Sequence, residues 1–254
     1  MKSEKIKFAN SKGQTLAAKL ELPDDEPKGF ALFAHCFTCN KNLTAVRNIG
    51  RALTKSGIAV LRFDFTGLGE SEGDFESTNF SSNVEDLIAA SNFLKENYSS
   101  PDILIGHSLG GAAVIFAAKH IESIKAVATI GAPSNPKHVS HLFKSGLEEI
   151  KEKGEATLMI GGREFKIQKH FLDDINEKNM DATVKNMNKA LLVMHSPQDK
   201  TVGIENASQI YSAAWHPKSF ISLDGADHLL SSQQDSIYVG NMIATWSKRY
   251  LLKN

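Results

Sequence analysis

The sequence predicts an α/β fold with a mostly parallel sheet of about eight strands and helices on both faces. Two observations lead to this prediction. Short, nearly continuous apolar runs, which are typical of parallel strands buried on both faces, recur at 29–35, 58–64, 103–105, 124–131, 190–195 and 219–223. Segments with helical periodicity separate these runs, and an alternation of strands and helices indicates βαβ crossovers.

The first 22 residues follow a different pattern. Apolar and polar residues alternate from Ile6 to Phe8 and again from Leu16 to Leu22. Such alternation predicts two antiparallel strands with one buried face, joined by a turn at residues 10–13.

Three kinds of signal predict the helices. An apolar stripe runs from Leu43 to Leu53 and predicts a helix that ends near Gly57. Ser82 and Glu85 have the spacing of a capping box, which predicts that the next helix begins at Ser82. Periodicity alone predicts the remaining helices of the core at 110–120, 204–214 and 237–250.

Residues 134–188 interrupt the alternation because they contain no buried-strand run. We expect a helix at 137–153, a hairpin around Gly161 and Gly162, and a helix at 169–177. The chain is therefore divided into a core of residues 1–133 and 189–254 and an inserted cap or lid of residues 134–188. Insertions of this length tend to lie over ligand sites.

Charge and composition exclude several classes of protein. The 254 residues include 29 Lys and Arg and 29 Asp and Glu, so the formal net charge is zero. This balance argues against nucleic acid or an anionic membrane surface as the main partner. The apolar runs are far shorter than the ~18–20 residues of a membrane span. Residues 1–8 lack the apolar core of a secretory signal, so we expect a cytoplasmic protein.

A nucleophile motif, Gly106-His107-Ser108-Leu109-Gly110, lies between a predicted strand and a predicted helix. A nucleophilic serine must project above the sheet on a sharp turn, and only very small residues two positions away on either side let the backbones pass. The turn also directs the N–H groups of the helix N-terminus at the carbonyl oxygen under attack. The alternative is a glycine-rich turn with an idle serine. The sequence has no dinucleotide-binding or P-loop glycine pattern.

A serine nucleophile needs a base, and the base needs an orienting carboxylate. On this type of scaffold the chain order is serine, acid, histidine. Asp199 follows the strand predicted at 190–195, and His228 follows the last predicted strand. The alternatives are that Asp199 is a plain turn residue, or that Asp227 is the acid. No histidine spacing matches a metal-binding motif, so we expect no metal site. A reaction through such a triad requires no cofactor.

The motifs together resemble those of the α/β-hydrolases. FDFTGLGESEG (63–73) is similar to a structural loop of the serine-aminopeptidase and monoglyceride-lipase-like branch. With AHCFTCNKN, IGHSLGGAAV, MHSPQD and SLDGADHLL, the chain resembles the hydrolase half of bacterial hydrolase–OsmC-like fusion proteins. The resemblance implies an α/β-hydrolase fold, a Ser-Asp-His triad and carboxylester hydrolysis without a cofactor. It leaves open an OsmC-like partner protein and a homodimer.

The resemblance also implies an oxyanion hole. Related hydrolases commonly carry His-Gly after the strand that ends near His35, where this sequence has His35-Cys36. By this match the backbone N–H groups of Phe37 and Leu109 are expected to hold the oxyanion.

Cys36 and Cys39 form a C-x-x-C pair, for which three interpretations are open: structural or pocket-lining thiols, a redox-sensitive pair, or metal ligands. The metal reading lacks further ligands at suitable spacing. Because the pair lies beside the expected oxyanion hole, its oxidation state is a candidate regulator of activity.

The expected function is hydrolysis of small or short-chain acyl esters by a serine hydrolase. Thioester hydrolysis, acyl transfer and peptide hydrolysis use the same triad. Two alternatives come from other classes: a redox-linked module that acts through the cysteine pair, and a catalytically silent hydrolase fold used for binding. The candidate pocket residues are His35, Cys36, Cys39, His107, Leu142, Phe143 and Phe171. The apolar side chains of the cap have packing against the core as an alternative role.

Overall fold

A computed structural model describes residues 1–251. In this part of the chain, eight strands form one sheet: β1 (Lys2–Ala9), β2 (Thr15–Leu22), β3 (Gly29–Ala34), β4 (Ile58–Phe63), β5 (Ile103–His107), β6 (Ala126–Ile130), β9 (Ala190–His195) and β10 (Lys218–Ser222). Their order in the sheet is β1-β2-β4-β3-β5-β6-β9-β10. A separate hairpin consists of β7 (Glu155–Ile160) and β8 (Arg163–Gln168).

The sheet is mixed, with an antiparallel edge. β1 pairs with β2, and β2 with β4, in antiparallel fashion. The other neighbours pair in parallel, from β4 through β3, β5, β6 and β9 to β10. The predicted fold class is therefore confirmed. Because parallel strands end at the same edge, the loops after β3, β5, β6 and β9 meet above one rim of the sheet, where α/β proteins bind ligands.

Helices cover both faces of the sheet. The helices are α1 (Thr44–Lys55), α2 (Phe80–Asn97), α3 (Leu109–Ala118), α4 (Leu147–Lys153), α5 (Lys169–Glu177), α6 (Met180–Asn186), α7 (Glu205–Ala213) and α8 (Gln233–Leu251). α1 and α8 pack on one face, where Val46, Ile49 and Ile243 belong to one buried cluster. α2 and α3 pack on the other face in a second cluster, which also takes in apolar residues of 134–188. The two apolar clusters hold the sheet between them.

The start of α2 corrects one prediction. The helix begins at Phe80 and not at Ser82, because Asn79 is the N-cap and its side chain accepts a hydrogen bond from the N–H of Ser82. In turn, Oγ of Ser82 accepts a hydrogen bond from the N–H of Asn79. The capping box is thus Asn79 with Ser82, and Glu85 takes no part in it.

Two differences concern residues 134–188. The helix predicted at 137–153 is two elements, a 3₁₀ segment at Pro136–Gly146 followed by α4. They meet at Gly146, where a Cβ would lie 2.6 Å from a methyl carbon of Leu158. The absence of a side chain at Gly146 therefore lets β7 of the hairpin pack closely against this junction. α6 was not predicted; Asn179 caps it by accepting the N–H of Ala182.

Candidate active site

Ser108 lies on the sharp turn between β5 and α3, with φ 55° and ψ −126°. Few non-glycine residues adopt a positive φ, and here it lifts the hydroxyl above the sheet rim. A Cβ on Gly106 would lie 2.3 Å from the carbonyl oxygen of Gly110, and a Cβ on Gly110 would lie 2.4 Å from that of His35. The two glycines are therefore required by the closeness of the backbones on either side of the serine.

The structure brings Ser108, Asp199 and His228 together. Nε2 of His228 lies 2.9 Å from Oγ of Ser108, and Nδ1 of the same ring lies 2.7 Å from Oδ2 of Asp199. A carboxylate only accepts hydrogen bonds, so Nδ1 carries the proton and Nε2 is left to accept the proton of the serine hydroxyl. This arrangement is suited to drawing a proton from Ser108.

Asp199 is held by its own loop. Its Oδ1 accepts the N–H groups of Thr201 at 2.8 Å and Val202 at 2.9 Å. Burial raises the pKa of Asp199, but the hydrogen bonds from His228, Val202 and Thr201 outweigh it and keep the pKa below its ordinary value. Asp227, the rival acid, instead accepts the N–H of Ser231 at 2.9 Å.

Two further histidines hydrogen-bond to the backbone of the loops that carry His228 and Asp199. Nε2 of the buried His107 lies 2.6 Å from the carbonyl oxygen of His228. Burial, and after it the nearby His228, lower the pKa of His107 to about 4, so its ring is neutral at pH 7 and donates this bond. His195 donates from Nε2 to the carbonyl oxygen of Val202 at 2.8 Å and so braces the loop of Asp199.

The loop after β3 carries Phe37, the expected oxyanion donor. Within residues 1–251 the N–H of Phe37 donates to no protein acceptor, and Leu109 is the first residue of α3, whose N–H has no partner within the helix. The Phe37 ring packs against the rings of Phe75, Phe143 and Phe171, at centroid distances of 5.5–5.9 Å. Both N–H groups remain available for an acyl oxygen near Ser108.

A disulfide joins Cys36 and Cys39 across Phe37 and Thr38. The interpretation of these residues as structural or pocket-lining thiols is therefore wrong about the thiol state, although both residues line the cavity above Ser108. Their side chains meet because the N–H of Cys39 bonds to the carbonyl oxygen of Cys36 and closes a turn. The same turn holds Thr38 at φ 59°. The bond fixes the backbone of this four-residue segment.

The far end of the same loop is held by charge. The N–H of Lys41 donates to Oδ1 of Asp64 at 2.6 Å, and the ammonium of Lys41 pairs with Oδ2 of Asp64 and, at 2.6 Å, with Glu70. Lys41 and Asp64 are both buried. The loop that resembles the family's structural motif thus positions the segment that carries Phe37.

A cavity of about 400 Å³ opens above Ser108. Of the predicted pocket residues, Cys36, Cys39 and Leu142 line it, together with Phe37 and Leu109. The prediction was wrong for His35, His107, Phe143 and Phe171, which do not line this cavity. Phe143 and Phe171 are buried around the Phe37 ring, His107 lies beneath His228, and His35 donates from Nδ1 to the carbonyl oxygen of Cys36 at 2.8 Å.

Comparison with known proteins assigns the family. A family model described as serine aminopeptidase, S33, matches residues 25–153, half of the chain. The chain belongs to this family of α/β-hydrolases. An esterase domain from a Rhodothermus marinus protein is 50% identical to the hydrolase and has a TM-score of 0.83, with 99% of this chain and 100% of that chain covered.

Two further proteins are similar to the hydrolase at lower identity or over a shorter part of the chain. The monoglyceride lipase of Rattus norvegicus is 30% identical over 113 residues, which are 44% of the hydrolase and 37% of the lipase, so the chain spans little more than a third of that relative. Est1E from Butyrivibrio proteoclasticus, in a structure with ferulic acid bound, is 21% identical with a TM-score of 0.80 over 98% of this chain and all of that one.

Sequence reasoning missed several residues of the hydrolase cavity. Arg163 begins β8, and His138 and His141 lie in the 3₁₀ segment; all three line the cavity. His138 reaches the carbonyl oxygen of Thr201 at 3.0 Å. Their sequence context carries no motif, because their place on the cavity wall depends on tertiary contacts.

Two kinds of feature are absent from residues 1–251 of the hydrolase. No group of three or more His, Cys, Asp or Glu side chains is arranged to hold a metal ion. No helix in these residues is long and apolar enough to cross a membrane.

Proposed function

We propose that the hydrolase cleaves carboxylic esters of small acyl groups through an acyl-enzyme on Ser108. One observation carries the proposal: the continuous hydrogen-bond path from Oγ of Ser108 through the ring of His228 to the carboxylate of Asp199. A path of this kind raises the nucleophilicity of a hydroxyl that is otherwise too weak a nucleophile at neutral pH.

In the proposed reaction, Oγ of Ser108 attacks the ester carbonyl while Nε2 of His228 takes its proton. The carboxylate of Asp199, ionised because of its lowered pKa, holds the imidazole in the required tautomer and stabilises the imidazolium. The N–H groups of Phe37 and Leu109 stabilise the oxyanion. His228 returns the proton to the leaving alcohol, and water then repeats the sequence to release the acid.

We further propose that residues 134–188 act as a cap. Three apolar residues of this segment, Val139, Leu142 and Ile160, form part of the wall of the cavity above Ser108. A cavity of about 400 Å³ suits a small acyl group. Thioesters, amides and acyl acceptors other than water require the same triad, so substrate type is a question for experiment.

A fluorophosphonate probe tests the proposal. We expect stoichiometric labelling of the protein and turnover of short-chain ethyl esters, both lost in Ser108→Ala. The matched control is Ser208→Ala, because Ser208 is exposed on α7. Equal labelling of Ser108→Ala and the wild type would refute the proposal. A panel of esters, thioesters and amides of the same acyl group then ranks the substrate types.

For the cysteine pair, which was expected as an alternative to act in a redox-linked function, we propose a structural role. The Cys36–Cys39 disulfide lies beside Phe37, so we propose that it orders the oxyanion loop and has no separate activity. A homodimer, an OsmC-like partner and a cytoplasmic location stay predictions.

A further inference from the structure

Arg163 lies on the cavity wall, and the proposed reaction makes no use of its positive charge. It is the first residue of β8, on the hairpin of residues 155–168. Its guanidinium donates from Nη2 to the carbonyl oxygen of Thr38, and its Cζ lies 5.2 Å from the centroid of the Phe165 ring. The two contacts orient this exposed side chain at the rim of the cavity that contains Ser108.

The positive charge of Arg163 has no counterion among the residues that the structure describes. Among residues 1–251, no carboxylate lies within 4 Å of the guanidinium. No Asp or Glu lines the cavity either; the other titratable side chains on its wall are those of His138, His141 and His228. By contrast, Lys166 on the same strand pairs with Glu155 at 2.9 Å and faces Glu76 at 3.7 Å.

The unused N–H donors of Arg163 also favour an anion-binding role. A guanidinium has five N–H donors in a planar fork that matches the two oxygens of a carboxylate. One bond to the carbonyl oxygen of Thr38 leaves most of these donors unused. An arginine oriented by two neutral contacts, at the rim of a cavity whose wall has no acidic residues, can receive an anion.

We infer that Arg163 binds a carboxylate of the substrate, so that the preferred esters carry one free carboxylate, as half-esters of dicarboxylic acids do. The inference rests on the proposed function, since it assumes an ester seated between Ser108 and the hairpin. It names Arg163 as a specificity-determining residue that takes no part in the proton transfers.

Matched substrates test the inference. Monoethyl adipate and ethyl hexanoate have the same acyl length, but the acyl chain ends in a carboxylate in the first and in a methyl group in the second. In 4-acetoxybenzoate and 4-methylphenyl acetate, the carboxylate and the methyl group are instead on the leaving phenol. We expect the wild type to prefer the anionic member of at least one pair. The anionic-to-neutral ratio of kcat/KM should fall about tenfold in Arg163→Gln and recover in part in Arg163→Lys.

Lys166→Gln removes a charge from the same strand and serves as the control, with an unchanged ratio expected. Added salt should raise KM for the anionic ester and leave KM for the neutral ester unchanged, because dissolved ions weaken the attraction between exposed charges, with a screening length of about 10 Å at 0.1 M salt. If Arg163 only ties the hairpin to Thr38, Arg163→Gln lowers turnover of both esters in the same proportion. An unchanged ratio in both pairs overturns the inference.

The test separates this inference from the proposed function. If the wild type cleaves the neutral ester at a Ser108-dependent rate but shows no preference for the anion, the proposed function stands and the inference fails. If it cleaves neither ester, calorimetric titration of Ser108→Ala with adipate still decides the role of Arg163. Binding that Arg163→Gln abolishes in this background supports a carboxylate site, and no binding refutes it.

Discussion

The ring of His107 donates a hydrogen bond to the backbone carbonyl of His228, with 2.6 Å between Nε2 and the oxygen. The residue directly before the nucleophile is thereby tied to the residue that we propose as its base. The two rings lie 5.1 Å apart, so His107 contacts the backbone of His228 while the His228 ring faces Ser108 and Asp199.

The first prediction concerns this bond. His107→Phe removes the donor and leaves the buried carbonyl oxygen of His228 without its partner, which loosens the loop that carries the base. We expect kcat for ester hydrolysis to fall about tenfold, because a small misplacement of a proton-transfer group is costly, with a smaller change in KM. His107→Gln, whose amide also donates, should recover part of kcat. Equal kcat values for the two variants would contradict the positioning role.

The second prediction concerns acid stability. The pKa of His107 is about 4 in the folded protein, lowered by burial, against about 6.5 in the unfolded chain. Between these values the unfolded state binds more protons, so the free energy of unfolding decreases as pH falls from 6.5 to 4. The two pKa values set an upper limit of about 3 kcal/mol on this loss. Urea denaturation at several pH values should show a shallower acid decline for His107→Gln than for the wild type.

The third prediction separates the two candidate acids. Asp199→Asn keeps the shape of the side chain but removes the charge that selects the tautomer of His228, so we expect kcat to fall about 10⁴-fold. Asp227→Asn is the matched control, because Asp227 bonds to the backbone of Ser231; a change within about twofold is expected. A large loss in Asp227→Asn with a small one in Asp199→Asn would reverse the assignment. Initial rates on ethyl esters provide the measurement.

The fourth prediction concerns the disulfide. Reduction by a small dithiol converts the Cys36–Cys39 bond to two thiols and oxidises the dithiol to its cyclic disulfide. The segment around Phe37 then loses a covalent constraint, and we expect kcat to fall about tenfold as one oxyanion donor becomes less ordered. Cys39→Ser should show the lower rate with or without the dithiol. Identical rates for oxidised and reduced wild type would rule out this role.

The fold and the three proposed catalytic residues could be predicted from the sequence because their signals are local. Buried parallel strands produce continuous apolar runs, and the turn at Ser108 requires small residues at Gly106 and Gly110. The order of serine, acid and histidine then selects Asp199 and His228 from many candidates, and the structure brings both to Ser108.

The parts that could not be predicted depend on tertiary contacts. Arg163 reaches the cavity because the hairpin of β7 and β8 lies beside Thr38. Phe143 and Phe171 are apolar residues of the same insertion, yet they pack around the Phe37 ring instead of lining the cavity. Hydrophobicity predicts that such side chains are buried, but it does not distinguish a cavity wall from the packing behind it.

The ion pair of Lys41 with Asp64 anchors the loop of Phe37 at a point outside the ring closed by the disulfide. Breaking the sulfur–sulfur bond therefore releases only the short stretch between the cysteines, while the strand before it and the anchor after it stay in place. A cell that reduced this bond would slow the hydrolase reversibly without unfolding it.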